Sequence, residues 1–510
     1  MQSAIFLHND PMVTIAPSEA LDVVVPEAKT PVALGSADPV ALLLGAAPLL
    51  LSFLAQISEL VSPAVLLTLA TVALVCTGCL FFRAHRGLQR GQIGLLTLHT
   101  AMLFWFYVPA FVTALSFNQW EVSAVDISIS NSDAVRAFTL IALFHLILIL
   151  TYQWKPPARV RSGWLQLIGN GIRLDARTIL WVVSGLALVA FAFYSLQAGD
   201  TLAAIDFAVL GRSAEKPWSS DGNFGTQITP FHFTAQAMQV VAAICSLTLI
   251  LLGKLRGVAK GIALVLALVC AAWVSIDEGT RSNLIMVLAP PLILYYDQLR
   301  QPGTSRRVLR YTNVGLVLLA LVVATDLQLS YRETGKLDNP LAVQVRDNDF
   351  FSYTAFAVAV QEEEASYTGD SIIAKLVTGA IPHSLWPEEP YPKSIVVFSR
   401  YVWGVDITET GGNTLPSIVG QKYLSQGPRG VVEVAMALGL LLALGDSVFR
   451  RATLSGRLLY ATVLAYIFVS FRSMTFSFFT YVLFLGALAF LARLLTRLSL
   501  EGRRSQHLRL

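Results

Sequence analysis

Apolar runs of 14 to 25 residues recur along this chain, each long enough to cross, or nearly cross, a hydrocarbon core of roughly 30 Å. They are Val40 to Leu60, Ala64 to Phe82, Ile93 to Phe117, Ala134 to Trp154, Ile179 to Ala198, Phe231 to Leu252, Val258 to Ile276, Ser282 to Asp297, Asn313 to Leu329, Gly430 to Leu444, Leu458 to Phe471 and Met474 to Ala492. With 55% hydrophobic and 14% charged residues and a mean hydropathy of +0.62, the chain is too apolar for an ordinary soluble globule. The pattern predicts an all-α polytopic membrane protein of about twelve transmembrane helices.

Charge assigns the sides. Arg83, Arg86 and Arg90 follow the second run, Lys155, Arg159, Arg161, Arg173 and Arg177 the fourth, and Lys254, Arg256 and Lys260 the sixth. Arg300, Arg306, Arg307 and Arg310 follow the eighth, Arg450, Arg451 and Arg457 the tenth, and Arg493, Arg497, Arg503, Arg504 and Arg509 the last. Every even-numbered run thus exits into a basic loop, the positive-inside pattern with both termini cytoplasmic. Opposite loops carry Glu121, Asp126, Asp133, Asp206 and Asp221. The net charge of +4 therefore reports orientation, and nucleic acid is not an expected partner. The stretch 458–492 holds one charged residue before its C-terminal end, Arg472, and reads as a tight hairpin turning near Arg472 and Ser473; the alternative is one very long helix.

These signals divide the chain into a disordered cytoplasmic tail, 1–39, nine spans over 40–330, a large loop over 331–429, three spans over 430–493, and a basic cytoplasmic tail, 494–510. The tail holds Pro11, Pro17, Pro26, Pro31 and Pro39 and lacks the basic start and apolar core of a cleavable signal. The loop is acidic, polar and far longer than a connector, and it reads as folded. Pro340 to Glu364 has helical apolar spacing, and Asp370 or Ser371 is placed to cap a second helix running to Ile381. Pro382, Pro387, Pro390 and Pro392 then force a stiff, extended path. The apolar stretch Ser394 to Trp403 reads as a surface segment, and a last short helix precedes Gly430.

Candidate chemistry gathers on the loop's side. Asp277, Glu278, Gly279, Thr280, Arg281 and Ser282 join the seventh and eighth runs. A glycine break, a serine placed as N-cap and an arginine beside free backbone N–H groups make a phosphate site; a turn with a local Arg281 ion pair is the plain alternative. Tyr331, Arg332 and Glu333 stand where the ninth run emerges, and Arg429 and Arg472 add cations near the same surface. Arginines at ends that orientation rules keep poor in basic residues call for an anionic ligand; the guanidinium fork matches a diphosphate. His383 and Trp386, with Glu388 and Glu389, offer a base and an aromatic platform for sugar rings, though a loop histidine is more often an ordinary surface residue.

Other ionisable residues read as packing. His99 and His145 lie within spans, where such residues mark ion paths or hydrogen-bonded core. Cys76, Cys79, Cys245 and Cys270 sit in apolar runs and read as small core residues. The carboxylates do not group with histidines at ligand spacing, so neither metal nor cofactor is expected.

Taken in order, Asp277-Glu-Gly-Thr-Arg-Ser282, Tyr331 with Arg332, Ile381-Pro-His-Ser-Leu-Trp-Pro387, and Asn413-Thr-Leu-Pro-Ser-Ile-Val-Gly-Gln-Lys-Tyr423 leading to Gly427 and Gly430 resemble the Wzy-type oligosaccharide repeat-unit polymerases. These belong to the O-antigen polymerase and ligase group. The resemblance spans roughly 271–445, around one large outer loop. It implies a GT-C-like, metal-independent glycosyltransferase of the bacterial inner membrane, acting on its periplasmic face. Such an enzyme joins undecaprenyl-diphosphate-linked glycans into a surface polysaccharide, with a chain-length regulator as partner. By resemblance, Arg281 and Arg332 hold the donor diphosphate and His383 is the first candidate base, with Glu333 and Glu278 behind it. Where family members often carry arginine, this chain has His383. An O-antigen ligase is the nearest alternative, followed by a secondary transporter, although no internal repeat is evident.

Overall fold

A computed structural model describes residues 38–87, 92–115, 129–154, 157–164, 176–210, 230–277, 281–299, 350–364, 366–370, 393–404, 415–472, 481–488 and 490. Among them no strand occurs, and the chain is a helical membrane protein. Its helices are α1 (Pro39–Ile57), α2 (Pro63–Gly87), α3 (Ile93–Met102), α4 (Val108–Leu115), α5 (Asn131–Tyr152), α6 (Ala158–Trp164), α7 (Ala176–Ala198) and α8 (Thr201–Leu210). They continue as α9 (Pro230–Leu251), α10 (Gly257–Asp277), α11 (Arg281–Leu299), α12 (Phe350–Glu363), α13 (Lys393–Trp403), α14 (Ser417–Phe449) and α15 (Leu454–Ser470). A π-helical turn, Leu103–Tyr107, joins α3 to α4.

Among the described residues, eight segments are long and apolar enough to cross a membrane: α1, α2, the continuous Ile93–Leu115, α5, α7, α9, α10 and α14. They answer to the first seven expected spans and the tenth. The eighth corresponds to α11, which carries Pro290 and Pro291 within it, and the eleventh to the shorter α15. The ninth, 313–329, lies outside the described residues, as do the tail 1–37 and residues 491–510. Of the twelfth, residues 481–488 are described, as helix. Helix α15 stops at Ser470 with a turn at Phe471 and Arg472.

Contacts at helix ends fix the antiparallel order. Asp38 caps α1 by accepting from the N–H groups of Val40 (3.1 Å) and Ala41 (3.3 Å), and it pairs with Arg83 near the end of α2. Burial would raise its carboxyl, but the Arg83 hydrogen bond and the two backbone N–H groups outweigh that and hold it below the ordinary range. His85 Nδ1 meets the Tyr296 hydroxyl at 2.7 Å, and buried Asp297 accepts from Arg450 (3.2 Å) and Arg457 (3.3 Å). The ends of α2, α11 and α14 and the start of α15 thus share one side of the bundle, the side on which several of the basic residues stand.

Asp446, in the last turns of α14, ties four helices together. Its carboxylate accepts from Gly94 N–H (2.8 Å), Leu95 N–H (3.4 Å), Tyr152 hydroxyl (2.6 Å) and Tyr460 hydroxyl (2.9 Å). Gln92, the residue at the N-cap of α3, makes no side-chain cap; Asp446 supplies that cap across the sequence. A carboxylate is suited to the role because the N-terminus of α3 carries orphan N–H groups and the positive end of a dipole.

Within the loop block, the structure differs from the expected surface arrangement. Helix α12 is buried on nearly every side, from Phe350 to Val360, and packs on α4, α5, α14 and the π turn. At 14 residues it is about 21 Å long, too short to cross. Expected amphipathic spacing gives way to all-round burial because both faces meet apolar helices. Helix α13 packs over α12, with Phe398 buried against Phe356 and Tyr353. Its N-terminus is capped by Asp370, which accepts from Lys393 N–H (3.2 Å) and Ser394 N–H (2.8 Å). Asp370 therefore caps a helix 23 residues on; the local helix to Ile381 falls outside the described residues.

The last short helix expected before Gly430 is continuous with the span after it, as the first part of α14. Gly427 (φ 66°) and Pro428 kink the 33-residue helix. Pro428 has no N–H, so the Leu424 carbonyl loses its helical partner, and Thr368 N–H takes it at 3.1 Å. Gly369 N–H takes the Ser425 carbonyl at 2.8 Å. A Cβ at Gly427 would come within 2.7 Å of the Tyr367 ring, so both backbone angle and packing require glycine.

Two stability predictions follow from these joints. Asp446→Ala strands two backbone donors and the Tyr152 hydroxyl, at roughly 1–3 kcal/mol for each buried unsatisfied group, while the Tyr460 hydroxyl keeps the Leu442 carbonyl at 3.2 Å; Asp446→Asn keeps an acceptor and is expected to lose less. Thermal unfolding in detergent ranks them, and an alanine variant as stable as wild type removes the four-helix tie. Gly427→Ala is expected to lower the same midpoint by the equivalent of about 1–3 kcal/mol.

Candidate functional site

The phosphate-site expectation centred on the junction of α10 and α11. Asp277 ends α10, Arg281 begins α11, and Glu278, Gly279 and Thr280 lie outside the described residues. Helix α11 already includes Arg281, so Ser282 stands inside its first turn and not at the N-cap. Both Ser282 and Asn283 are buried. Asn283 donates to the Val274 carbonyl (3.3 Å), closing the junction, and accepts from the Tyr481 hydroxyl (3.1 Å).

Arg472 comes to this junction. Its Nη1 donates to Ser282 Oγ at 2.6 Å, one residue from Arg281. The guanidinium lies 5.8 Å from the Trp105 ring centre and 5.5 Å from that of Phe350, the first residue of α12. Two ring faces hold the cation with contributions of about 0.5–2 kcal/mol each. Trp105 is fixed in turn by its indole N–H donating to the Phe468 carbonyl at 2.8 Å.

Arg472 was expected in an outer hairpin, but its surroundings lie deeper. The Phe471 ring packs 5.6 Å from Phe144, midway along α5, and 6.1 Å from Phe106 in the π turn. Ile418 N–H, in the first turn of α14, donates to the Phe471 carbonyl at 3.0 Å. The starts of α11 and α12 and the end of α15 therefore meet inside the bundle. Two helix N-termini beside a partly buried guanidinium make a positive field, an arrangement suited to an anion.

The remaining candidates are distributed differently. Arg429 is exposed and pairs with Glu433 one turn on, at 2.8 Å. Tyr331, Arg332, Glu333, His383 and Trp386 lie outside the described residues, as does the side chain of Arg281. Arg136, which sequence reasoning passed over, pairs with Glu362 at the end of α12. Its signal was a cation in the first turns of a helix starting at the acidic side. Tyr401 of α13 donates to Glu364 at 3.2 Å; burial and that carboxylate push its hydroxyl above the ordinary range. Lys422 and Gln421, from the loop's last motif, are buried in α14.

His99 and His145 are not isolated. His99 Nδ1 and His145 Nε2 lie 3.1 Å apart, and the Tyr107 hydroxyl is 3.3 Å from His145 Nδ1, all three buried. The ring centres are 5.3 Å apart, so the two facing nitrogens lie near the line between them. That is donor facing acceptor, not two lone pairs converging on an ion. Among the cysteines, Cys76, Cys245 and Cys270 are buried as expected, whereas Cys79 is exposed on the outer face of α2.

The chain matches no protein-family model, no curated protein and no solved structure.

Proposed function

We propose that this protein is a lipid-linked glycosyltransferase that polymerises undecaprenyl-diphosphate-linked oligosaccharide repeat units on the periplasmic face of the bacterial inner membrane. The observation that carries the reading is the seat of Arg472 on Ser282, between the starts of α11 and α12. It supports an anion site because both dipoles and the guanidinium stabilise negative charge. In this reading about twelve spans carry the loop 331–429 on the periplasmic side, with α12 returning into the bundle. The glycan moves from its diphosphate to an acceptor sugar hydroxyl. The C–O bond to the diphosphate breaks, a base in the loop takes the hydroxyl proton, and Arg281, Arg332 and Arg472 stabilise the departing charge. His383 is the candidate base, with Glu333 and Glu278 behind it, and Trp386 and Tyr331 contact sugar.

A secondary transporter is the second reading, and the buried His99–His145–Tyr107 chain favours it. Such a chain passes a proton along its length: one enters at His99, the bond protons shift, and one leaves at Tyr107. An O-antigen ligase shares the proposed chemistry and differs in acceptor.

Glycans from cells lacking the protein and from cells with it restored separate these readings on a gel. Loss of long chains with survival of single-repeat material is the expected result; long chains stranded on the lipid carrier mean a ligase, and an unchanged profile removes both enzymes. Arg472→Ala is expected to lower product at least tenfold at unchanged membrane abundance, with Arg472→Lys between it and wild type. For the transporter, proteoliposomes with an internal pH dye would show potential-driven proton flux that His145→Gln abolishes, since glutamine keeps both hydrogen bonds but relays no proton.

A further inference from the structure

The helices beside the Arg472 seat carry a buried polar stripe. On α9, His232, Gln236 and Gln239 are 4%, 2% and 3% exposed. At 100° per residue they lie within about 60° of one another. The buried core is split there. Ala235 belongs to a small cluster with Tyr194 and Trp273, while Ala237 and Val240 belong to the main core. Going round the helix, the two glutamines fall between them, so the stripe runs along the seam of the two clusters.

Aromatic rings border the seam. Tyr194 of α7 lies 5.6 Å from His232 and 5.1 Å from Trp273 of α10. Gln236 Nε2, Gln239 Oε1 and Trp273 Nε1 are buried without a hydrogen-bond partner among the described residues. Within an apolar bundle, buried polar atoms are nearly always satisfied, because each orphan costs about 1–3 kcal/mol. Two donors and one acceptor left open along a seam whose one side is the cluster of Tyr194 and Trp273 fit a neutral, hydroxyl-bearing ring, which both accepts and donates and stacks its C–H face.

The seam also adjoins the anion seat. Trp273 precedes Val274, whose carbonyl accepts from Asn283, next to Ser282 and Arg472. We infer that the facing halves of α7, α9 and α10 form a subsite for a sugar ring whose attached diphosphate sits at Arg472. This rests on the anion reading proposed above and adds the group recognised beside it.

The test titrates purified protein in lipid nanodiscs with farnesyl diphosphate and with farnesyl diphosphate carrying glucose, galactose or N-acetylglucosamine in turn, read by calorimetry. At least one sugar-bearing probe is expected to bind at least tenfold tighter than the bare one. The Gln236→Leu, Gln239→Leu double variant should lose that increment and keep the bare affinity, and Trp273→Phe should lose part of it. Arg472→Ala should weaken every probe. Bare binding with no increment from any sugar, or an increment that survives the double variant, overturns the subsite and leaves the anion seat standing. If wild type binds no probe, both fail. A double variant more heat-stable than wild type with the increment intact assigns the stripe a structural role only.

Discussion

Backbone groups in an apolar bundle have no water to turn to, and the arrangement of the loop block follows from that constraint. The break at Gly427 and Pro428 strands the Leu424 and Ser425 carbonyls, and the short strap 368–370 supplies the missing donors. The same strap holds Asp370, whose carboxylate starts α13, while Ser425 donates its hydroxyl back to the Asp370 carbonyl at 2.7 Å. One kink thereby fixes where α13 begins, and α13 closes over α12. A loop that reads as polar and exterior is drawn into the bundle by unpaired carbonyls.

The seat of Arg472 depends on the same logic at shorter range. A guanidinium within the bundle needs both partners and polarisable neighbours. Ser282 accepts from it, and Trp105 and Phe350 provide ring faces. The π turn matters here because it occurs where Trp105, Phe106 and Tyr107 must serve three neighbours: Trp105 faces Arg472, Phe106 meets Phe471, and Tyr107 reaches His145. Wider helical turns recur where a helix serves a site.

Some of this was legible in the residues. The Asp277–Ser282 junction and Arg472 were separate candidates for anion binding, and they meet, because an arginine that ends a span and a serine that begins one both occur where helices stop. The role of Ser282 was not legible: a serine before an apolar run reads as a cap, and only the partner 190 residues away reassigns it. The two histidines read as solitary because 46 residues separate them. Asp446 offered no local signal, since its four donors come from three other helices.

From its sequence alone, the chain's helical, membrane-spanning character was determined, along with the order of its spans through α7, α9 and α10 and the common side of several basic ends. Those properties depend on the length and hydropathy of contiguous residues, which a sequence states directly. Tertiary structure alone decided that α12 is buried, that Asp370 and Asp446 cap distant helices, and that Arg472 lies beside the start of α11. Each of these is a pairing of a donor with an acceptor, or a cation with a ring, across distant parts of the chain. Such pairings are selected by the cost of leaving a buried polar group unmet, and that cost exists only once the helices have packed.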